Sequence, residues 1–418
     1  MKVLFITRRF YPNGDASSAV VGNLALALMK KGVHSSVIAL TQSKQDTKTR
    51  KWNGIDVRNI FVPELEKLSN LKKEWKRVPL RNGVTIVKKA YYKIKRNILP
   101  AYKKLSIDPV LLSSYKKILR KKEFLKDFDV CVATLMPHEL IIAAIESKLK
   151  KPFVMYQLDT FWNNDIFTEE HSELRKKIEW EAVMSSAFVL TTPLIYDINK
   201  VLRPDLSDRI IAAEFPMITD YYCQNEERIE NDKKCHCVFL GSLYPIVRPP
   251  EKVVNLISKI KNKDVVFDFY GDSQHLVTQS PKYPAAKGKI RLWGSISSQK
   301  AKQIRKSADI LINIDNTTLL QVPSKIFEYM CTGKPIINFY FNKNSSCLDY
   351  LKKYPLCLNI DLDSEADNEF EKKFEDFYKN SIGNRIPFEE IKTIFKSCTP
   401  EYVADQFLKC CKDFIPDL

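Results

Sequence analysis

The chain has 418 residues, which is enough for two domains of ordinary size that each bury a core of their own. Its hydrophobic content of 44% is normal for a globular protein, and the absence of any apolar run of about eighteen residues argues against a membrane-spanning helix. The start MKVLFITRRF has a charged pair where a signal peptide needs its apolar stretch, so we expect a cytoplasmic protein.

Short apolar segments alternate with helical stretches along the first half of the chain, which is typical of a parallel sheet with helices on both faces. The alternation restarts at His236 and continues through the second half. We therefore predict an α/β fold with two doubly wound, Rossmann-like domains. The strands predicted in the first half are Val3–Thr7, Ser35–Leu40, Val57–Val62, Val130–Thr134, Phe153–Gln157, Phe188–Thr192 and Arg209–Glu214.

The loop RRFYPNGDASS follows the first predicted strand and leads into a helix. Val20, Leu24 and Leu28 mark the apolar face of that helix, and Gly32 ends it. Gly14 and a later glycine do not form the GxGxxG spacing of a dinucleotide site, so we do not predict one here.

Most of the net charge of +17 lies in a basic insert, residues 67–126, which has 19 Lys or Arg residues against three acidic residues, a local balance of +16. Within it Val87, Tyr91, Ile94 and Ile98 recur at helical spacing. This spacing predicts a basic amphipathic helix. The helix can dock on an anionic membrane surface, or it can pack on its own domain with a solvated basic face. No nucleic-acid-binding motif accompanies the charge, so we do not expect a nucleic acid as partner.

Two candidates for the reacting centre lie at the carboxyl ends of predicted strands. His138 follows Pro137 between a strand and a helix, and Asp159 follows the strand in PFVMYQ. Ligands of open parallel sheets gather at this edge. We therefore predict that both side chains can touch substrate, and the alternative for His138 is a surface or capping role.

The segment at residues 216–234 is polar and charged, and we predict that it is the linker between the domains. The C-terminal domain is then expected over residues 235–398. Beyond Leu362 the chain is acidic and helical, and a last helix is predicted near Glu401–Phe414.

The segment PSKIFEYMCTGKPII, at Pro323–Ile337, has the features of an anion-binding helix. Ser324 is a good N-cap, and Gly333 is a stop before a strand predicted at Pro335–Phe341. The unpaired amides of the helix start, together with Lys325, suit a phosphate.

Glu328 lies one helical turn beyond Ser324 on the same face, so a ligand with its phosphate at the cap could place a diol against the carboxylate. This arrangement indicates a sugar nucleotide. The simpler interpretation is that Glu328 only complements the positive end of the helix dipole.

Four stretches of the second half resemble, in this order, the donor-binding half of a retaining glycosyltransferase with the GT-B fold, in the family 4 group with a PSK-type motif. They are VFLGSLYPIVR at Val238–Arg248, FDFYGD at Phe267–Asp272, IRLWGSIS to ADILINI at Ile290–Ile314, and the PSK helix. The resemblance covers most of the chain and is strongest from about Cys237 to Phe341. It implies two domains that face a central cleft, and a last helix that returns to the first, acceptor-side domain, which would comprise residues 1–215 and about 399–418.

The resemblance also implies roles for residues of the second half. Glu328 would accept hydrogen bonds from the donor ribose, and Ser324 and Lys325, with the helix amides, would hold the diphosphate. Arg248 would lie against the same phosphates, where an arginine fork suits the task.

Further donor contacts are implied at Gly241, in the first strand region of this domain, and at Ser295 and Ile296, whose backbone would contact the nucleobase. Two positions depart from the family pattern. Ser242 stands where members often have an arginine, and Leu320 stands where many have the first of two paired glutamates. Arg248 and Lys325 would then matter more for the diphosphate, and the sugar contacts are left open.

In the first half, the resemblance places the loop of Gly14 near the donor phosphates and the acceptor, although many members have two glycines there. A plain turn glycine is the alternative. Asp159 matches a position with a polar or acidic residue near the acceptor hydroxyl, but this chain lacks the histidine that many members have close by.

These implications predict a metal-independent hexosyl- or N-acetylhexosaminyltransferase that uses a UDP- or GDP-sugar, since helix amides, Lys325 and Arg248 would stabilise the leaving diphosphate. The ten cysteines are scattered without the spacing of a zinc site. Asp361 and Asp363 form a DxD only by letters, in a stretch that we interpret as solvated.

Together with the basic insert, this activity predicts a lipid-linked or polysaccharide acceptor at the cytoplasmic face of a membrane. Three alternatives stay open: a non-catalytic GT-B-like binding or scaffold protein, a basic nucleic-acid-binding protein, and another GT-B enzyme such as a phosphorylase or epimerase.

Overall fold

The computed structural model describes the chain except for residues 13, 48, 68–104, 106, 150, 163–170, 221–233, 365–366 and 417–418. The described chain divides into two units. Unit 1 comprises residues 1–216 and 400–418, and unit 2 comprises residues 217–399. The predicted basic helix with Val87 and Ile98, and most of the predicted linker, lie outside the described residues.

The described strands of unit 1 form one sheet in the order β3-β4-β2-β1-β5-β6-β7-β8. Neighbouring strands are parallel except for β3 and β4, which are antiparallel. The strands are β1 (Lys2–Thr7), β2 (His34–Thr41), β3 (Arg50–Trp52), β4 (Ile55–Phe61), β5 (Val130–Thr134), β6 (Phe153–Gln157), β7 (Phe188–Thr191) and β8 (Ile210–Ala212).

The strands β5, β6 and β7 are buried along their whole length, as expected where helices cover both faces of a parallel sheet. The strands predicted from apolar runs are therefore confirmed, two of them residue for residue. β3 was not predicted. It is an edge strand of only three residues, RKW, without an apolar run.

The helices of unit 1 begin and end at sequence signals that were recognised in part. The first helix starts with a capping box, in which the Asp15 carboxylate accepts from the Ser18 amide (3.0 Å) and the Ser18 hydroxyl accepts from the Asp15 amide (2.8 Å). Gly32 follows its end with φ of +80°, as the predicted stop requires. The helices are α1 (Ala16–Lys30), α2 (Pro109–Arg120), α3 (Lys122–Leu125), α4 (His138–Glu146), α5 (Ser172–Ser185), α6 (Pro193–Leu202) and the last helix of the chain, Pro400–Phe414.

The end of the basic insert is part of the unit 1 core. α2 buries Leu111, Leu112, Tyr115 and Ile118, while its basic residues lie on the other faces. For this stretch the helix packs on its own domain. In the part of the chain that the structure describes, no helix is both long and apolar enough to cross a membrane.

The described strands of unit 2 form a parallel sheet in the order β11-β10-β9-β12-β13-β14. The strands are β9 (Cys235–Leu240), β10 (Val265–Tyr270), β11 (Ile290–Gly294), β12 (Ile310–Ile314), β13 (Ile336–Tyr340) and β14 (Cys357–Asp361). The helices are α7 (Glu251–Lys259), α8 (His275–Thr278), α9 (Tyr283–Ala286), α10 (Ser298–Ser307), α11 (Lys325–Met330), α12 (Ser346–Lys353), α13 (Asp367–Ser381) and α14 (Phe388–Ile394); the last helix of unit 1 is α15 (Pro400–Phe414).

The interpretation of the DxD stretch as solvated is wrong for its first residue. Asp361 ends β14 with only 8% of its surface exposed, and Lys343 lies 3.5 Å from its carboxylate. The sequence analysis missed β14 because its run CLNID has a half-buried asparagine, Asn359, and a terminal aspartate instead of a continuous apolar segment. Asn359 accepts from Asn338, which accepts in turn from Asn313.

Candidate active site

The loops after β9, β10 and β11 meet at the carboxyl edge of the unit 2 sheet. The Gly241 amide donates to the Tyr270 carbonyl (2.9 Å), and the Gly271 amide donates to the Gly294 carbonyl (2.8 Å). Gly271 has φ of +137°, and a Cβ there would lie 1.8 Å from the Gly241 carbonyl oxygen. Only glycine fits at this position. Gly241, a predicted donor-site residue, therefore lies where three loops approach one another closely.

Arg248 reaches the same edge from the loop that follows β9. Its guanidinium donates to the Asn316 side-chain oxygen (2.7 Å) and to the Ser242 carbonyl (3.3 Å). A Cβ on Gly241 would lie 3.6 Å from the guanidinium. The Arg248 Nε is buried and has no hydrogen-bond partner in the part of the chain that the structure describes. Arg248 is thus a half-buried cation with one hydrogen-bond donor, the Nε, that the described residues do not use.

Lys325, the first residue of α11, also contacts this edge. Its Nζ donates to the carbonyl of Leu240, the last residue of β9, at 2.6 Å. Burial of the ammonium group lowers the pKa of Lys325 to about 8, although the nearby Glu328 carboxylate raises it. Much of the rest of the residue is exposed. Lys325 is therefore accessible and is tied to the end of β9.

The prediction of Ser324 as N-cap is confirmed for its position and is wrong for its side chain. Ser324 occupies the N-cap position of α11, but its side chain makes no capping hydrogen bond. The physical reason is its backbone, which is already helical (φ −55°, ψ −21°), whereas a capping side chain reaches the helix amides from an extended backbone.

Glu328 lies in the first turn of α11, and its carboxylate is bound by Arg305 of α10. The side chains are 19% and 8% exposed respectively, so the pair is largely withdrawn from water. Arg305 fixes the direction of the carboxylate and leaves it further lone pairs for hydroxyl donors. The sequence analysis missed Arg305, for which the only signal was a basic residue in the last turn of a polar helix.

A buried acid supports the partner of Arg248. Asp315 follows β12 and accepts from the Ser345 hydroxyl (2.5 Å) and the Asn316 amide (2.7 Å). Burial raises the pKa of Asp315 to about 6, and Arg248 opposes that shift. Asp315 thereby fixes the position of the next residue, Asn316, whose side-chain oxygen accepts a hydrogen bond from Arg248.

The predicted nucleobase contacts lie on the third loop of this edge. The Ser295 hydroxyl donates to the Asp272 carboxylate, and both side chains are exposed. Ile296 is half-buried. Gly294, the residue before Ser295, accepts a hydrogen bond from the Gly271 amide through its carbonyl. This bond brings the loop of Ser295 to the same edge as the loops after β9 and β10.

In unit 1, His138 is the first residue of α4 and is buried, so a surface role is wrong. Its ring meets Phe161 edge-on, with the ring centroids 3.8 Å apart. Burial, and the positive charge of Arg175, lower the pKa of His138 to about 3. The imidazole is therefore neutral at physiological pH and can act only as a neutral hydrogen-bonding group.

Asp159 is half-buried in the loop after β6, and burial raises its pKa to about 6. Glu179 of α5 fixes this loop. Its carboxylate accepts from the Phe161 amide (2.5 Å), from the Trp162 amide (3.4 Å) and from the Gln157 side chain. Glu179 is 1% exposed, and burial raises its pKa to about 7. The sequence analysis missed Glu179, for which the only signal was an acid next to Trp180 on a helix that buries this face.

Gly14 is exposed in the loop before α1. A Cβ there would lie 3.1 Å from the Ser18 Cβ, and the backbone does not have a positive φ. The tight approach arises from the capping box of Asp15 and Ser18. Gly14 thus fits a turn position, and the contacts of the described residues assign it no ligand.

The structure describes nine of the cysteines, all as free thiols, and eight of them are buried. Within the described residues, no three His, Cys, Asp or Glu side chains are grouped so that they could hold a metal ion.

Comparison with solved structures identifies the fold. Sucrose-phosphate synthase of Thermosynechococcus elongatus superposes with a TM-score of 0.65 at 11% identity, with 100% of both chains covered. Trehalose-6-phosphate synthase of E. coli, bound with UDP-2-fluoro glucose, has a TM-score of 0.63 at 10% identity over 99% of this chain and 100% of the other. UDP-GlcNAc 2-epimerase of Neisseria meningitidis, bound to UDP-GlcNAc, has a TM-score of 0.52 at 11% identity over 99% and 100%.

The chain has the GT-B fold, and the prediction of an α/β protein with Rossmann-like parallel sheets is confirmed. No protein-family model matches the sequence, and no curated protein matches it. At these identities the similarity establishes the fold alone, and synthases and an epimerase share it. The activity has to be argued from the site.

Proposed function

We propose that the protein is a retaining glycosyltransferase of the GT-B type, which transfers a sugar from a nucleoside diphosphate sugar to a hydroxyl group. The observation that carries the proposal is the meeting of Arg248 and Lys325 at one edge of the unit 2 sheet. There the Arg248 Nε has no partner in the described chain, and Lys325 is accessible. Two of the similar structures hold UDP-sugars, which agrees with this class of donor.

The two cations would stabilise the leaving diphosphate. As the bond from the anomeric carbon to the diphosphate breaks, negative charge grows on the diphosphate oxygens. Arg248 is already held by Asn316 and Ser242, so it needs little reorganisation to meet that charge. We propose that Arg248, Lys325, Ser324 and the amides at the start of α11 stabilise the leaving diphosphate in place of a metal ion.

Glu328 would bind the ribose of the donor. Arg305 holds the Glu328 carboxylate in one direction. The remaining lone pairs of the carboxylate can accept hydrogen bonds from two neighbouring hydroxyls. Ser295 and Ile296 would contact the base, and Gly241 would allow the phosphates to approach the backbone at the end of β9.

The acceptor side of the proposal rests on unit 1. Asp159 has its pKa raised to about 6, so it can accept or hold a proton near neutral pH. His138, neutral and buried, would support the loop with Asp159 through Phe161. We further propose a family 4-like enzyme of hexosyl or N-acetylhexosaminyl type, with a lipid-linked or polysaccharide acceptor at the cytoplasmic membrane face.

The test is a thermal-shift panel of UDP-, GDP- and ADP-sugars, because a ligand that binds the folded state raises its stability. One nucleotide should raise the melting temperature of the wild type, and the shift should vanish in Arg248→Ala. Lys261→Ala is the matched control, since this lysine is 86% exposed and pairs with Glu371 elsewhere in unit 2. A panel without any shift would contradict the donor site and favour a scaffold protein.

Product analysis then separates the enzyme classes. Incubation with the selected donor and a glycan or lipid-linked acceptor should give a new glycoside with the anomeric configuration of the donor, also in the presence of EDTA. Conversion of UDP-GlcNAc without an acceptor would indicate an epimerase instead. Flotation with neutral and anionic vesicles tests the membrane proposal, and equal binding to both would contradict electrostatic docking.

A further inference from the structure

A cavity of about 330 Å³ lies at the carboxyl edge of the unit 1 sheet, where β1, β2 and β4 end. Its volume falls within the range of small-molecule pockets. None of the residues assigned above to the donor or the reacting centre lines it. The lining residues that matter here are Arg8, Arg9, Phe10, Thr41, Ser43 and Asn59.

The cavity is positively charged. Neither Arg8 nor Arg9 makes an ion pair or a side-chain hydrogen bond with the part of the chain that the structure describes. The acid in the lining, Asp46, lies 3.8 Å from Arg50, which offsets its charge. The buried Glu139 also feels the charge of Arg8, but burial, the larger effect, raises the pKa of Glu139. Two arginine forks are therefore available for an anionic group.

The other walls suit a sugar ring. Phe10 is buried and meets Trp52 edge-on, with the ring centroids 5.2 Å apart. Trp52 in turn lies where a Cβ on Gly22 would be only 2.8 Å away, so this glycine makes room for the aromatic pair. A fixed apolar ring in the lining can pack against the face of a sugar.

Polar groups also line the cavity. The Asn59 side chain is held by a hydrogen bond to the Tyr11 carbonyl (3.1 Å), and the Thr41 hydroxyl accepts from the Ser43 amide (3.1 Å). The Thr41 hydroxyl hydrogen and the remaining lone pairs can bind sugar hydroxyls. Fixed polar groups next to an apolar wall are typical of sites that orient a small polar ligand.

We propose that this cavity binds a hexose-sized sugar that carries a phosphate or carboxylate group, and that this acidic sugar is the acceptor or the acceptor's terminal residue. Its role as acceptor rests on the proposed function. In the transfer, a hydroxyl oxygen of the bound sugar forms a bond to the anomeric carbon of the donor. The bond from that carbon to the diphosphate breaks, and the hydroxyl proton leaves with the diphosphate.

The binding test is calorimetry of the full chain with glucose 6-phosphate, glucuronate, glucose and inorganic phosphate. At least one acidic sugar should bind ten times or more tightly than glucose and than phosphate alone. Arg8→Gln and Arg9→Gln should each weaken that binding about tenfold, because each removes a charged fork. Arg120→Gln is the matched control, an exposed arginine at the end of α2 that does not line the cavity.

Equal binding of glucose and the acidic sugars, or unchanged binding in both cavity variants, would overturn the inference. A glycolipid with a phosphorylated sugar head group, presented on neutral vesicles, tests a lipid source of the same chemistry. Its capture by the wild type, and its loss in Arg8→Gln, would support the cavity with a lipid-borne ligand. If acidic sugars bind while no nucleotide does, the proposed function fails and the cavity stands; the reverse result refutes the cavity alone.

Discussion

The carboxyl edge of the unit 2 sheet, which we call the cationic edge, and the loop after β6 in unit 1, which we call the acidic loop, hold opposite kinds of group. At the unit 2 edge, Arg248 and Arg305 are fixed by polar partners before any ligand arrives. At the end of β6 in unit 1, Asp159 and Glu179 are acids whose pKa values burial raises to about 6 and about 7. The first arrangement suits a ligand that brings its own negative charge. The second suits groups that exchange a proton near neutral pH.

The largest expected effect of a single change is at the cationic edge. Arg248→Ala should lower kcat/KM by a factor of about 100 to 1,000, since a preorganised donor to developing charge contributes on the order of 3–4 kcal/mol. Arg120→Ala is the control, an exposed arginine at the end of α2 in unit 1. Steady-state kinetics with the donor found in the panel give the answer. Near-normal kcat/KM in Arg248→Ala would mean that this edge does not bear the diphosphate.

The rigidity of the cationic edge can be tested separately from its charge. Gly271→Ala should lower the free energy of unfolding by about 3 kcal/mol or more, because the new Cβ would meet the Gly241 carbonyl at 1.8 Å and the positive φ is strained for alanine. Gly288→Ala is the matched control, since its Cβ would have no neighbour within 4 Å. Urea denaturation of both variants gives the comparison. Equal stabilities would show that the loops after β9 and β10 are not in close contact.

Lys325 should contribute less than Arg248, because it is more exposed and is bound only to a carbonyl oxygen. We expect Lys325→Ala to reduce turnover about tenfold to thirtyfold, and Lys325→Arg to recover part of the loss by restoring the charge. Lys261→Ala again provides the control. If Lys325→Arg were as poor as Lys325→Ala, the carbonyl contact at the end of β9, and not the charge, would be the function of this lysine.

The sequence predicted the elements whose signal is local. Apolar runs identified strands such as Val130–Thr134, and the stops at Gly32 and Gly333 agree with their positive φ values. β3 and β14 were not predicted because an edge strand of three residues and a strand with a half-buried asparagine lack that signal. The assignment to the GT-B fold depended on the order of four motifs in addition to the periodicity.

The candidate site could be predicted only as far as single residues reach. Arg248, Lys325 and Glu328 were identified from their motifs, whereas Arg305 and Glu179 become visible only when helices pack against the sheet. The same holds for the cavity, because Arg8 follows β1, whereas Thr41 and Asn59 belong to β2 and β4, and only the sheet brings them together. Burial also changes the chemistry of a residue that was predicted from its position. His138 begins α4 after the end of β5, and its buried environment keeps it neutral.

The smallest expected effect, per unit of pH, concerns the acidic loop of unit 1. The pKa of Glu179 in the folded protein is about 7, above its ordinary value of about 4.5, so between these values the folded state holds more protons than the unfolded state. The free energy of unfolding should then fall as pH rises through this window, by at most about 1.4 kcal/mol per pH unit, and level off above about pH 7.

Glu179→Gln should lack this slope, whereas Glu181→Gln, an exposed acid on the same helix, should keep it. Denaturant titrations of the three proteins at pH 5, 6, 7 and 8 measure the difference, which cancels the titration of all other groups. Parallel curves for wild type and Glu179→Gln would mean that the loop with Asp159 is held by a carboxylate that stays ionised. This result would contradict the raised pKa of Glu179 on which the comparison with the cationic edge rests.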